Sequence, residues 1–265
     1  MIIATPVLSD AATILAGDEL ATLPAANLLD PQPSSVWRTS GLAAAYLEID
    51  LGATHGVNLV SLLFTNLGAG GTWRVRAAAD QAALTAGPGY DSGTLSVWTP
   101  GADPTPYGYA DAILWLGGQQ LAYRWWRVDL ADPANADGYI EAGRLYVADA
   151  WQPSMNVQPG YSIGFVDESV QRVSAAGTLH AIPRRSRRQG RFTLSFFEGA
   201  EMMERGFTLD QTRGRGGDVL FMLDPDPGPY RQHDTIYGLL SELGPVTLPS
   251  HGIYQKRYQI EEMIR

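Results

Sequence analysis

Apolar and polar residues alternate in short runs along most of the chain. In Tyr46-Leu-Glu-Ile-Asp-Leu51 and Trp125-Trp-Arg-Val-Asp-Leu130 charged side chains alternate with apolar ones, the period of a strand with one face buried and one in water. Strand-like runs recur at residues 46–51, 57–66, 72–79, 112–116, 123–130 and 139–148, separated by turn-rich stretches at 68–71, 87–93 and 100–108. That spacing predicts an antiparallel sandwich or barrel. Further strands are predicted at 161–166, 171–174, 177–182, 191–197, 219–223, 236–240 and 253–260. One helix is predicted, over residues 200–211, with Met203, Phe207 and Met202 towards the core and Gly206 weakening it.

Composition agrees with a β-rich chain. There are 29 Gly, 17 Pro, 7 Trp and 12 Tyr against a single lysine, Lys256, and 265 residues at 45% hydrophobic content suffice for two cores. The Pro-punctuated passage Trp151-Gln-Pro-Ser-Met-Asn-Val-Gln-Pro-Gly160 places a boundary near residue 152. Charge changes there as well. Residues 1–150 hold 6 Arg against 15 acids, and the remainder hold 13 basic against 13 acidic residues. The acidic first half argues against a nucleic-acid partner for residues 1–152. With no cysteine there is no disulfide framework or thiolate metal site. The N-terminus lacks the pattern of a signal peptide, and no stretch approaches the roughly 20 apolar residues of a membrane span. The expectation is a product made in the cytoplasm and not inserted in a membrane.

Asn27-Leu-Leu-Asp30, Ser35-Val-Trp37 and Tyr46-Leu-Glu-Ile-Asp-Leu-Gly52 are followed by Val57-Asn-Leu-Val-Ser-Leu-Leu-Phe-Thr-Asn66 and by Trp73-Arg-Val-Arg76 with Asp80 after it. Tyr123-Arg-Trp-Trp-Arg-Val-Asp-Leu130 and Asp137-Gly-Tyr-Ile-Glu141 complete the series. In order and spacing these resemble discoidin-like domains. The resemblance implies a galactose-binding-like jelly-roll β-sandwich over residues 1–152.

The second half carries an arginine-rich stretch at 184–191, Phe192-Thr-Leu-Ser-Phe196, the predicted helix, Leu220-Phe-Met-Leu-Asp-Pro225, Tyr237-Gly238 and Tyr258-Gln-Ile-Glu-Glu262. This order resembles tail-tip (distal-tail-like) proteins of tailed bacteriophages. It implies a second β-rich domain with one flanking helix over 153–265, forming a homo-oligomeric ring, hexameric by preference, at the distal end of a tail. On that reading the protein is a non-enzymatic virion component of the tail tip or baseplate, made in the host cytoplasm. Its partners are other tail proteins and host-surface glycan. The alternative is a host-glycan-binding receptor protein, a carbohydrate-binding module; a glycan-processing hydrolase is a third reading.

Candidate chemistry is sparse. The discoidin resemblance implies a structural calcium held by Asp30, Ser35 and Glu141, all hard oxygen ligands; no other cofactor is expected. A glycan or docking surface would use loop aromatics, and Trp73, Tyr90, Trp98, Tyr107 and Tyr109 are the candidates. Arg184, Arg185, Arg187, Arg188 and Arg191 need acids, phosphates or a neighbouring subunit to share their charge and form the candidate interface. Gly160-Tyr-Ser162-Ile-Gly164 has the form of a nucleophile elbow, with Asp224 or Asp226 and His233 or His251 in hydrolase order. Pro159 before it and β-type residues after it favour a plain turn into a strand. Asp224-Pro-Asp226-Pro-Gly-Pro229 reads as a stiff turn rather than an acid pair. The four histidines, His55, His180, His233 and His251, show no metal-ligand spacing. Binding and assembly, rather than catalysis, is the function expected.

Overall fold

The computed structural model describes residues 1–43, 45–197, 199–250 and 252–265, with Phe196 and Phe197 described by backbone alone. The chain is mainly β and divides into two compact units. One comprises Met1–Gln152 together with Phe221–Thr235 and Arg265; the other comprises Pro153–Leu220 and Ile236–Ile264. The break after residue 152 coincides with the Pro-punctuated passage, but the second half is not one contiguous domain. Phe221–Thr235 returns to the first unit, shortly after the Gly-rich run Arg213-Gly-Arg-Gly-Gly217 and carrying the Pro-rich turn Asp224–Pro229 within it.

The first unit is an antiparallel sandwich. Its larger sheet, six-stranded among the described residues, is built from β1 (Thr13–Ala16), β2 (Tyr46–Val57), β4 (Thr72–Ala78), β5 (Tyr90–Asp91), β6 (Leu95–Ser96) and β8 (Leu121–Ala131). The order is β1-β2-β8-β4-β5, with β6 also on β4. The smaller sheet has β3 (Leu59–Thr65) between β7 (Ala110–Trp115) and β9 (Arg144–Ala148). Leu47, Ile49, Leu51, Trp73, Val75, Trp126 and Val128 from the first sheet meet Val60, Leu62, Ala112, Leu145 and Val147 from the second in one core. Each such fully buried aliphatic or aromatic side chain contributes about 1.5–3 kcal/mol.

The polar positions of the same strands form a charge ladder on the wet face. Register places Arg127 opposite Glu48 on β2 and Asp129 opposite Arg74 on β4. Arg127 bonds Glu48 at 2.6 Å, Arg76 bonds Asp129 at 2.6 Å and Arg124 holds Asp50 through two nitrogens at 2.6 and 2.7 Å. Alternation thus produces both the core and its cross-strand ion pairs.

Phe64 on β3 is the one non-glycine residue at positive φ among the described residues, at 58°. It falls where the pairing of β3 with β7 slips between Leu62 and Thr65. Its N–H, turned out of the ladder, donates to Asp111 Oδ1 at 2.9 Å. A bulky residue in this conformation is strained, and the buried carboxylate is what retains it.

In the second unit β13 (Arg187–Phe197) lies between β10 (Ser162–Val166) and β16 (Ile253–Glu262), with β14 (Thr235–Leu243) and β15 (Thr247–Ser250) both on β16. A separate two-stranded hairpin pairs β11 (Val170–Val173) with β12 (Leu179–Ile182).

The predicted helix is a composite. A π-helical segment, Met202–Phe207, interrupts two α-helical pieces, Gly199–Glu201 and Thr208–Arg213. Met202 and Leu209 are buried, whereas Met203 and Phe207 are exposed, contrary to the 3.6-residue expectation. The widened turn carries an extra residue and rotates positions 203 and 207 away from the core. Tyr258 Oη donates to the Gly206 carbonyl at 3.2 Å across the widened turn.

Candidate functional site

A cavity of about 290 Å³ lies in the first unit. The inward-facing Trp73 of β4 forms part of its wall because the strand's alternation leaves no other place for the ring. Trp98 is fixed at both ends: its indole Nε1 donates to the Leu67 carbonyl at 3.1 Å, and its own carbonyl accepts from Ser96 Oγ at 2.7 Å. The end of β7 adds Ile113, Leu114 and the half-buried Trp115. Ser96 and Thr99 add hydroxyls, and Pro225, Asp226, Pro227 and Arg231 join the wall from the returning segment.

Hydrogen bonds and ring contacts hold that segment. Thr99 Oγ1 donates to the Gly228 carbonyl, Trp98 stacks on Tyr107 at 5.6 Å, and Tyr107 packs on His233 at 5.1 Å. The Gln232 amide meets the backbone of Asp111 on β7, accepting from its N–H at 3.3 Å and donating to its carbonyl at 3.0 Å.

The charged residues of the lining are Arg231 and Asp226. Arg231 is 7% exposed, and its Nε has no hydrogen-bond partner. Burial pushes its guanidinium pKa down, opposed by the Asp111 carboxylate. Asp226 is exposed, and its N–H donates to Asp224 Oδ1 at 3.1 Å in a tight turn of the Asp-Pro-Asp-Pro segment. Aromatic planes, hydroxyls of Ser96 and Thr99, one carboxylate and one guanidinium therefore line a single hollow. This set can stack on an apolar face and satisfy donors and acceptors around it; it contains no acid–base–nucleophile arrangement.

Of the five aromatics singled out from the sequence, Trp73 and Trp98 are brought together in this wall. Tyr107 stands behind Trp98, Tyr109 stacks on Phe64 at 4.7 Å, and Tyr90 packs against the core. Burial, reinforced by the charge of Asp91, raises the Tyr90 phenol pKa. Sequence reasoning missed Trp115 and Arg231. Trp115 sits inside an apolar strand run that does not set it apart, and Arg231 lies over a hundred positions from the strands it joins.

The calcium set is not assembled. Asp30 Oδ2 accepts from Ser35 Oγ at 3.0 Å and Oδ1 from the Gln32 N–H at 2.8 Å, closing the loop on itself. Glu141 is buried between two guanidiniums, Arg38 at 2.7 and 2.9 Å and Arg265. Two cations on one carboxylate oppose a third, so these residues do not fit a calcium ion. Among the described residues no group of three or more His, Asp or Glu side chains is placed to hold a metal.

The arginine run does not present five side chains to one surface. Arg188 is buried against Glu262, Arg187 pairs with Glu168 at 2.6 Å and Arg191 donates to Gln259 at 2.8 Å. Arg184 and Arg185 are exposed. Ser162 opens the antiparallel strand β10 opposite Arg191, so the strand–turn–helix geometry of a nucleophile elbow is absent there. His251 lies outside the described residues.

No family model matches the chain, and no curated protein matches it. Among solved structures it is similar to the family 32 CBM from Clostridium perfringens NanJ in complex with galactose, at 16% identity and a TM-score of 0.40, covering 56% of this chain and 98% of that one. A second is the lectin domain of lectinolysin complexed with Lewis B antigen, at 15% identity and 0.38, covering 51% and 90%. A third is the CBM32 of AlyQ in complex with 4,5-unsaturated mannuronic acid, at 19% identity and 0.38, covering 52% and 94%.

Proposed function

We propose that this chain is a non-catalytic carbohydrate-binding protein whose first unit takes sugar in the tryptophan-walled cavity. One observation carries the reading: Trp73, Trp98 and Trp115 meet Arg231, Asp226, Ser96 and Thr99 around one hollow of about 290 Å³. Sugars present an apolar ring face bordered by hydroxyls, and aromatic planes beside fixed donors and acceptors are the complement of that pattern. Trp115, half-buried at the end of β7, is the ring with surface left to offer.

A glycan array probed with the full chain, followed by calorimetry on the strongest ligands, tests this. Trp115→Ala is expected to weaken binding at least tenfold without lowering the melting temperature by more than a few degrees. Absence of binding to any glycan at millimolar concentration would sink the reading.

A second reading, assembly into a ring such as a phage tail tip, draws on the second unit. The hairpin β11–β12 exposes Val173, Leu179 and Ile182, and the adjacent sheet ends in β10 with Phe165 70% exposed. An isolated two-stranded hairpin and an apolar edge are marginal in water and suit burial by another chain. Light scattering of the full chain tests it: a monomer at high concentration would overturn this reading, and dissociation of an oligomer by Phe165→Ser with Leu179→Ser would support it.

A further inference from the structure

The buried cations of this chain are treated in two different ways. Arg144 has Asp10 at 2.7 Å, Arg188 has Glu262 at 2.5 Å and Lys256 has Asp210. Each of these three carries a carboxylate as its counter-charge, as a charge removed from water requires. Arg231 is comparably buried, yet among the described residues no carboxylate lies at salt-bridge distance from it and its Nε finds no acceptor. The carboxylate that acts on it electrostatically, Asp111, already accepts the Phe64 N–H. The backbone next to Arg231 is anchored, because Gln232 is hydrogen-bonded to β7 and His233 is packed on Tyr107.

We infer that the cavity selects a sugar bearing a carboxylate, a uronic acid residue, with the acid group seated on Arg231 and the ring against the tryptophan wall. The inference rests on the carbohydrate reading above and names the ligand class of the same cavity. A planar carboxylate matches the guanidinium fork through two parallel hydrogen bonds, which would give Arg231 the counter-charge that the other buried cations already have. A volume of about 290 Å³ is at the small end of ligand cavities and suits one or two sugar rings. The exposed carboxylate of Asp226 on the same wall accepts hydroxyl protons and repels a second negative charge. A singly charged carboxylate is thereby favoured over a phosphate ester.

The test is calorimetric titration of the full chain with di- and trisaccharides of galacturonic and glucuronic acid, their neutral galactose and glucose counterparts, and a phosphorylated hexose. The expected result is that one acidic oligosaccharide binds at least roughly tenfold more tightly than its neutral counterpart and than the phosphate ester. Arg231→Gln is expected to reduce that preference to within about twofold, and Arg231→Lys to retain part of it. Because Arg231 has no internal ion pair to lose, Arg231→Gln should fold with an unchanged or higher melting temperature, which separates lost recognition from lost structure. Neutral and acidic sugars binding equally, tighter binding of the phosphate ester, or a preference surviving Arg231→Gln would overturn this inference and leave the carbohydrate reading standing. No binding by any oligosaccharide would overturn both.

Discussion

The side-chain amide of Gln232 pairs with the backbone of Asp111 as a strand residue would, accepting its N–H at 3.3 Å and donating to its carbonyl at 3.0 Å. Both groups are buried, so one side chain satisfies two backbone positions on β7 and fastens the returning segment to it. Gln232→Ala should cost about 1–3 kcal/mol and raise amide exchange over residues 221–235 ahead of the rest of the first unit. Chemical denaturation with hydrogen-exchange mass spectrometry would measure both; uniform exchange would show that the segment is held by other contacts.

The buried Glu141 joins the part-exposed Arg38 on one side and Arg265 on the other. Glu141→Gln removes the carboxylate that both guanidiniums share and should destabilise by roughly 3 kcal/mol, read from a urea melt. Calcium chloride or EDTA should leave the wild-type melting temperature unchanged, because the carboxylate is already engaged. A stabilisation of several degrees by millimolar calcium would contradict that placement.

Gly238 on β14 faces β16 so closely that an added Cβ would lie 1.9 Å from the Glu261 carbonyl oxygen. A backbone atom cannot swing aside as a side-chain tip can. Gly238→Ala should therefore cost about 2 kcal/mol or more and loosen the pairing of the last strand, measured as a fall in melting temperature and faster exchange at residues 258–262.

Asp91 is held at a pKa of about 2 by the Arg74 guanidinium and by the Gly93 N–H. Asp50 is likewise lowered, chiefly by Arg124. A carboxyl whose folded pKa is depressed stabilises above its unfolded value of about 4, and that stability is lost as pH falls from about 4 towards 2. Both pairs are largely solvated, so each loss is small and weakens further in salt. Melting temperature recorded from pH 5 to pH 2 should fall less steeply in Asp91→Asn than in the wild type, and an identical acid limb would count against the ladder.

Alternation alone determined a great deal. Leu47, Ile49 and Leu51 had to share one face of a strand, and Glu48 and Asp50 the other, because side chains of a pleated strand point to opposite sides. The strands and the sandwich follow from that, whereas Trp73, expected among the loop aromatics, is buried on β4. Where backbone geometry departs from its ideal period, the same reasoning fails. A π-helical turn moved Met203 and Phe207 outward, and no residue type signals such a turn in advance.

The site belongs to tertiary structure for a related reason. Residues Trp73, Trp98 and Trp115 are visible as aromatics in a β-rich chain, but which of them share a cavity depends on how the sheets close. Arg231 enters that cavity only because the chain leaves the second unit, passes along β7 and is fastened there by Gln232. Whether a buried arginine finds a carboxylate is likewise a matter of three-dimensional neighbours. Glu141 meets two guanidiniums, and among the described residues Arg231 meets no carboxylate at salt-bridge distance. Sequence determined the periodicity and so the layers, because those depend on neighbours one or two positions away. Only the folded chain decided which charges meet, because that depends on residues a hundred positions apart.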